Sequence, residues 1–131
     1  MTQEDKELLL KDLCARLPYG VKCHFKYGSA EGDVTLGCID NNVARFEYGW
    51  YGRFHVNIDA DYIKPYLRPL SSMTEEEKDA YESLKEYIYG HTEVFYYDTY
   101  RSIDFLISHH FDYRGLIEKN LALEAPKDMY K

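Results

Sequence analysis

Residues 21–58, VKCHFKYGSAEGDVTLGCIDNNVARFEYGWYGRFHVNI, decide the fold. Val21, Cys23, Phe25 and Tyr27 alternate with Lys22, His24 and Lys26. Val34, Leu36 and Cys38 share one face, as do Ala44, Phe46 and Tyr48, and then Phe54, Val56 and Ile58. A period of two in four successive runs predicts strands with one buried face, because successive strand side chains point to opposite sides. The joins are Gly28–Gly32, Asp40-Asn41-Asn42 and Gly49-Trp50-Tyr51-Gly52. All are short and rich in residues that tolerate positive φ, as hairpins require. The expected sheet is an antiparallel meander of four strands, with a fifth near residues 62–68 as a plausible closure into a small SH3-like barrel.

Helical periodicity flanks this stretch on both sides. Thr2-Gln3-Glu4-Asp5 has the form of a capping box, and Leu10, Leu13, Cys14 and Leu17 recur at helical spacing up to Pro18. Residues 59–73, with Pro65 and Pro69, read as a connector across the sheet. Thr74-Glu75-Glu76-Glu77 is a strong helix start: a capping hydroxyl, a Glu at the third position, and acids at the positive end of the dipole. Tyr81, Leu84, Tyr87 and Ile88 continue that helix toward Gly90. Another begins after Asp98, with Ile103, Leu106, Ile107 and His110 on one face, and Asp112 caps a short turn through Leu116 and Ile117. Residues 120–131 read as extended and loose. The fold class is therefore α+β: an N-terminal helix, an antiparallel sheet, then two to three C-terminal helices. The chain reads as one domain, 1–131, divided into a sheet half (1–70) and a helical half (71–131).

The 131 residues are 45% hydrophobic and 30% charged, with a net charge of −7. Such acidity argues against a general phosphate-binding surface. It is concentrated in residues 71–131, which hold 7 basic and 13 acidic side chains, against 9 and 10 in residues 1–70. Tyrosine dominates the aromatics, with 14 Tyr beside 6 Phe and 1 Trp. Tyr27, Tyr48, Tyr81 and Tyr87 fall on predicted buried stripes. No run approaches the roughly 18–20 apolar residues of a membrane span. The opening MTQEDKELLL puts acids where a signal peptide is basic, so a cytoplasmic protein without a membrane partner is expected. Cys14, Cys23 and Cys38 form no CxxC pair and read as small core residues.

Catalytic signatures are absent: there is no nucleophile elbow, P-loop or dinucleotide fingerprint. His109 and His110 are adjacent, so on a helix they point about 100° apart and cannot chelate one ion together. No metal and no cofactor is expected. Two surfaces remain as candidates. Trp50 and Tyr51 occupy a predicted hairpin tip followed by Arg53, and large rigid side chains of these types dominate binding hot spots. Lys22, His24, Lys26, Arg45, Arg53 and His55 fall on the polar face of the sheet, where they form a basic patch if the strands curl together. Arg114, near the C-terminus, suits a bidentate clamp on an acidic group.

Three stretches carry a resemblance. They are Asp12-Leu13-Cys14-Ala15-Arg16-Leu17-Pro18-Tyr19-Gly20-Val21-Lys22, the connector Lys64–Glu76, and the tail from Ile103-Asp104-Phe105-Leu106 through His109-His110-Phe111-Asp112-Tyr113-Arg114-Gly115-Leu116-Ile117 to Leu121–Pro126. Together they resemble a family of small proteins encoded by gut bacteria of the Bacteroides type and by their phages and mobile elements. The family has no assigned activity, so the resemblance implies an intracellular accessory protein and carries over no functional residue. The leading expectation is a non-catalytic module that binds a protein or peptide through its aromatic sheet edge and the Trp50 tip. The first alternative is nucleic-acid work, by the basic sheet face or by acidic mimicry. The second is an enzyme using His24, His55 or His109.

Overall fold

The computed structural model describes residues 2–49, 52–58, 61–86 and 101–130. The chain runs through α1 (Gln3–Arg16), β1 (Lys22–Tyr27), β2 (Ala30–Thr35), β3 (Cys38–Asp40), β4 (Val43–Glu47), β5 (Arg53–Asn57), β6 (Tyr62–Leu67) and α2 (Glu75–Glu86). A helix over residues 101–108, α3, and a two-residue strand β7 (Leu123–Glu124) follow. The fold is α+β. Trp50, Tyr51, Tyr87, Ile88, Gly90 and Asp98 lie outside the described residues.

The capping box opens α1 as its sequence requires: Asp5 N–H donates to Thr2 Oγ1 at 3.0 Å, and Thr2 N–H to the Asp5 carboxylate at 3.4 Å. Its inward face differs from the apolar stripe. Leu9, Asp12, Leu13 and Arg16 are buried, whereas Cys14 is exposed. The helix is rotated because Asp12 and Arg16, one turn apart, neutralise each other and so can face inward together.

The strands form two sheets, β2-β1-β6-β7 and β3-β4-β5, instead of one antiparallel meander. The first hairpin is tighter than Gly28–Gly32. Tyr27 pairs with Ala30 across Gly28-Ser29, which sets His24 opposite Asp33 and Lys26 opposite Glu31. The chain passes between sheets at Leu36-Gly37, where Gly37 N–H donates to Arg45 O at 2.9 Å. A Cβ on Gly37 would sit 3.2 Å from that carbonyl. The bend also breaks the alternation: Val34 and Leu36 are buried, but Cys38 is exposed. One extra residue at a bend flips every later side chain to the other face. Cys23 alone of the three cysteines is core.

β6 pairs with β1, fulfilling the fifth strand, and then takes β7 in parallel, so the first sheet is mixed. No ladder joins β5 to β6 among the described residues, and no closed barrel forms. Phe25, Phe46, Val56, Ile58 and Ile63 meet Leu9 and Leu13 of α1 in the main core. Phe25 lies 4.8, 4.9 and 5.3 Å from the rings of Phe46, Tyr48 and Phe54. Tyr27, at the strand end, is 50% exposed, unlike its predicted stripe.

The helical half is attached by an apolar cluster of Leu67 with Leu116, Leu121 and Ala122, and by polar bonds. Thr74 and Glu77 form the predicted capping box, and Glu77 also takes two bonds from Arg68, of 2.6 and 2.7 Å. Asp112 receives the backbone N–H groups of Leu116 and Ile117, so it caps a turn, as its position predicts. The tail is not loose: Tyr130 Oη accepts from Lys22 N at 2.9 Å and donates to Tyr66 O at 2.8 Å.

Candidate binding groove

An open groove of about 680 Å³ runs where the two sheets diverge, with Asp33 and Thr35 of β2 on one side and Arg45, Glu47, Arg53 and His55 on the other. Pairing fixes its far wall. Cys38, Arg45 and His55 lie in one cross-strand row, and Glu47 faces Arg53 in the next. Beyond Glu47, Tyr48 bridges β4 to β2, its hydroxyl donating to Glu31 O at 2.7 Å. It fits there because residue 32 is glycine; a Cβ would lie 2.6 Å from the Tyr48 ring.

That contact also sets the polarity of the β2 edge. Glu31 O points away from β1, toward β4, and main-chain groups alternate in direction along a strand. Asp33 and Thr35 therefore turn their N–H and C=O groups to the groove side. Among the described residues β2 is the outermost strand of its sheet, and no strand ladder occupies that edge.

The expected basic face is divided. Lys22, His24 and Lys26 stand on β1, while Arg45, Arg53 and His55 stand on the second sheet. The face around His24 is acidic as much as basic. His24 Nδ1 lies 2.7 Å from Asp33 Oδ1, and Nε2 lies 2.9 Å from Glu31 Oε1. Carboxylates only accept, so both bonds form together when the ring is an imidazolium, and the pair of carboxylates favours that form. Partial burial opposes that charge, but the bonds to Asp33 and Glu31 together outweigh it and raise the His24 pKa. The Tyr66 hydroxyl, 2.7 Å from Asp33, and then His24 hold the Asp33 pKa down, while His24 holds down that of Glu31. Burial and then Asp33 push the Tyr66 hydroxyl up to about 12. Lys26 and Lys64 flank the Tyr62 ring at 4.7 and 5.0 Å.

Arg114 points inward. Its Nε donates to Tyr113 Oη at 2.8 Å and lies 3.9 Å from Asp12 Oδ1. His109 stacks on Phe105 at 4.2 Å, with Nδ1 bonded to the Phe105 carbonyl. Among the described residues no cluster of His, Cys, Asp or Glu could hold a metal ion. None of their helices is long and apolar enough to cross a membrane. The partners of His24 were legible in one signal only: a two-residue Gly28-Ser29 turn would have placed Asp33 and Glu31 beside it. Comparison with protein-family models, with curated proteins and with solved structures finds no match to the chain.

Proposed function

We propose that the chain is a non-catalytic binding module that takes an extended peptide segment of a partner protein into this groove. The β2 edge beside the groove, which no described strand pairs, carries the reading, because the main-chain groups of such an edge are a template for strand addition. Arg45, Arg53 and Glu47 offer both signs of charge for side-chain selection. The Trp50-Tyr51 pair precedes Arg53 in sequence and supplies the hot-spot chemistry of the same reading.

Selection of displayed peptides on the immobilised full chain tests it. Selected peptides lose about tenfold or more in affinity when N-methylated at every second residue, since each methyl removes a ladder donor. Methylation at the residues between is tolerated. Arg45→Glu with Arg53→Glu weakens binding without lowering Tm, as does Trp50→Ala. Binding indifferent to methylation parity and to both charge reversals removes the groove as the site.

A second reading, single-stranded nucleic acid on the β1–β6 face, is favoured by the lysines flanking Tyr62. Salt-dependent binding of a labelled oligonucleotide, lost on Lys26→Glu and Lys64→Glu, would put it in place of the peptide.

A further inference from the structure

The stretch of β2 edge beside the groove is short, and a bond to the β4 chain bounds it at either end. At one end Glu31 O already accepts from the Tyr48 hydroxyl. At the other, Gly37 N–H donates to Arg45 O, and from Cys38 onward β4 holds the edge through its ladder with β3. Between these bonds only Asp33 and Thr35 turn their main-chain groups to the groove, since Leu36 N–H donates inward to Val21 O. An added strand therefore pairs with two residues and has to stop at Gly37, where β4 takes its place. A segment that continues must turn out of the groove there, whereas a chain end simply ends.

Charge decides which chain end fits. The cross-strand row at the Gly37 end is Cys38, Arg45 and His55, with no carboxylate in it. Glu47 lies one row further along, directly opposite Arg53. Asp33, the other acid of the lining, spends its carboxylate on His24 and Tyr66. Arg45 is open to a new anion. Its ion pair with Asp40 is 3.7 Å long, and both side chains are more than half exposed, so the pair holds weakly. A guanidinium can grip a carboxylate through two parallel N–H bonds, and it repels an ammonium. The end that suits this row is a C-terminus, which reaches it only if the added strand runs parallel to β2.

Building on the strand-addition reading of the groove, we propose that its ligand is the free C-terminal tail of a partner protein. The tail lies parallel to β2, its last main-chain groups on Asp33 and Thr35 and its α-carboxylate on Arg45. Random heptapeptides displayed with free C-termini and selected on the immobilised full chain supply the probes. Each selected peptide is synthesised as the acid and as the carboxamide, and both are titrated by fluorescence anisotropy. The acid binds about tenfold tighter or more, the difference a charge-assisted pair makes. Arg45→Gln erases that difference, and Arg53→Gln, one row away, preserves it. Arg45 is exposed, so its replacement leaves the fold intact, which an unchanged Tm verifies. Equal affinity of acid and carboxamide, with alternate N-methylation still felt, overturns the chain-end proposal and leaves the extended-segment reading standing. No binder, or binders indifferent to both changes, overturns the two together. A preference for the acid that survives Arg45→Gln overturns the place assigned to the carboxylate.

Discussion

The carboxylate of Asp12 and the guanidinium of Arg16 meet at 2.8 Å with both side chains closed off from solvent. Arg16 then reaches out of α1 to the Phe111 carbonyl at 2.6 Å and the Ile107 carbonyl at 3.5 Å. One ion pair thus ties the first helix to the end of the last. Removing one partner leaves a buried charge uncompensated, so Asp12→Ala and Arg16→Ala should each cost about 3–5 kcal/mol. Urea unfolding measures this; a loss below about 1 kcal/mol would mean that the pair is a surface-like contact.

His24 and His110 should respond oppositely to pH. The His24 pKa is raised, so its contribution is complete below the unfolded value of about 6.5 and is lost as pH rises through its folded value. The His110 pKa is lowered to about 4 by burial, so its contribution is complete above about 6.5 and is lost as pH falls toward 4. Stability should decline on both sides of a maximum between these slopes. An NMR titration should show His24 protonating above its unfolded value and His110 below it. His24→Gln should remove the alkaline decline and spare the acid one.

Gly32→Ala should expel the Tyr48 ring, because the new methyl would lie 2.6 Å from it. The ring would lose its bond to Glu31 and its place against Phe25. A cost of about 1–3 kcal/mol is expected for such overpacking. In a Tyr48→Ala background the same substitution should be nearly neutral, and an undiminished cost there would point to the backbone instead.

Glu77 serves α2 and the segment just after β6 at once, through Thr74 and Arg68. Its pKa is held at about 2 by Arg68 first, then by Thr74. The stability it gives is therefore complete above about 4.3 and lost as pH falls toward 2. Glu77→Ala should cost about 1–2 kcal/mol from the cap alone. Glu77→Gln keeps the cap acceptor and should lose less, as denaturation at pH 7 would show.

Tyr130→Phe should loosen the C-terminal segment from β1 and β6. It leaves Lys22 N–H and Tyr66 C=O without their hydroxyl partner, at a cost of about 1–3 kcal/mol. Faster amide exchange at Lys22 checks it; unchanged protection would mean that the β7 ladder and the His110 stack hold the tail without the hydroxyl.

Local regularities were readable in the sequence because local physics decides them. The Thr2 and Thr74 capping boxes, the alternation of β1, β4 and β5, and the Asp112 turn each involve residues within five positions of one another. Tertiary structure decided the rest. The rotation of α1 depends on carbonyls some ninety residues away, and the exposure of Cys38 depends on how Gly37 meets Arg45. The partners of His24 depend on a register that only a two-residue turn sets. Periodicity states which faces are apolar. It cannot say that a charge is cancelled across space, or that a bend has inserted one residue, and those two facts placed both the groove and the buried pair.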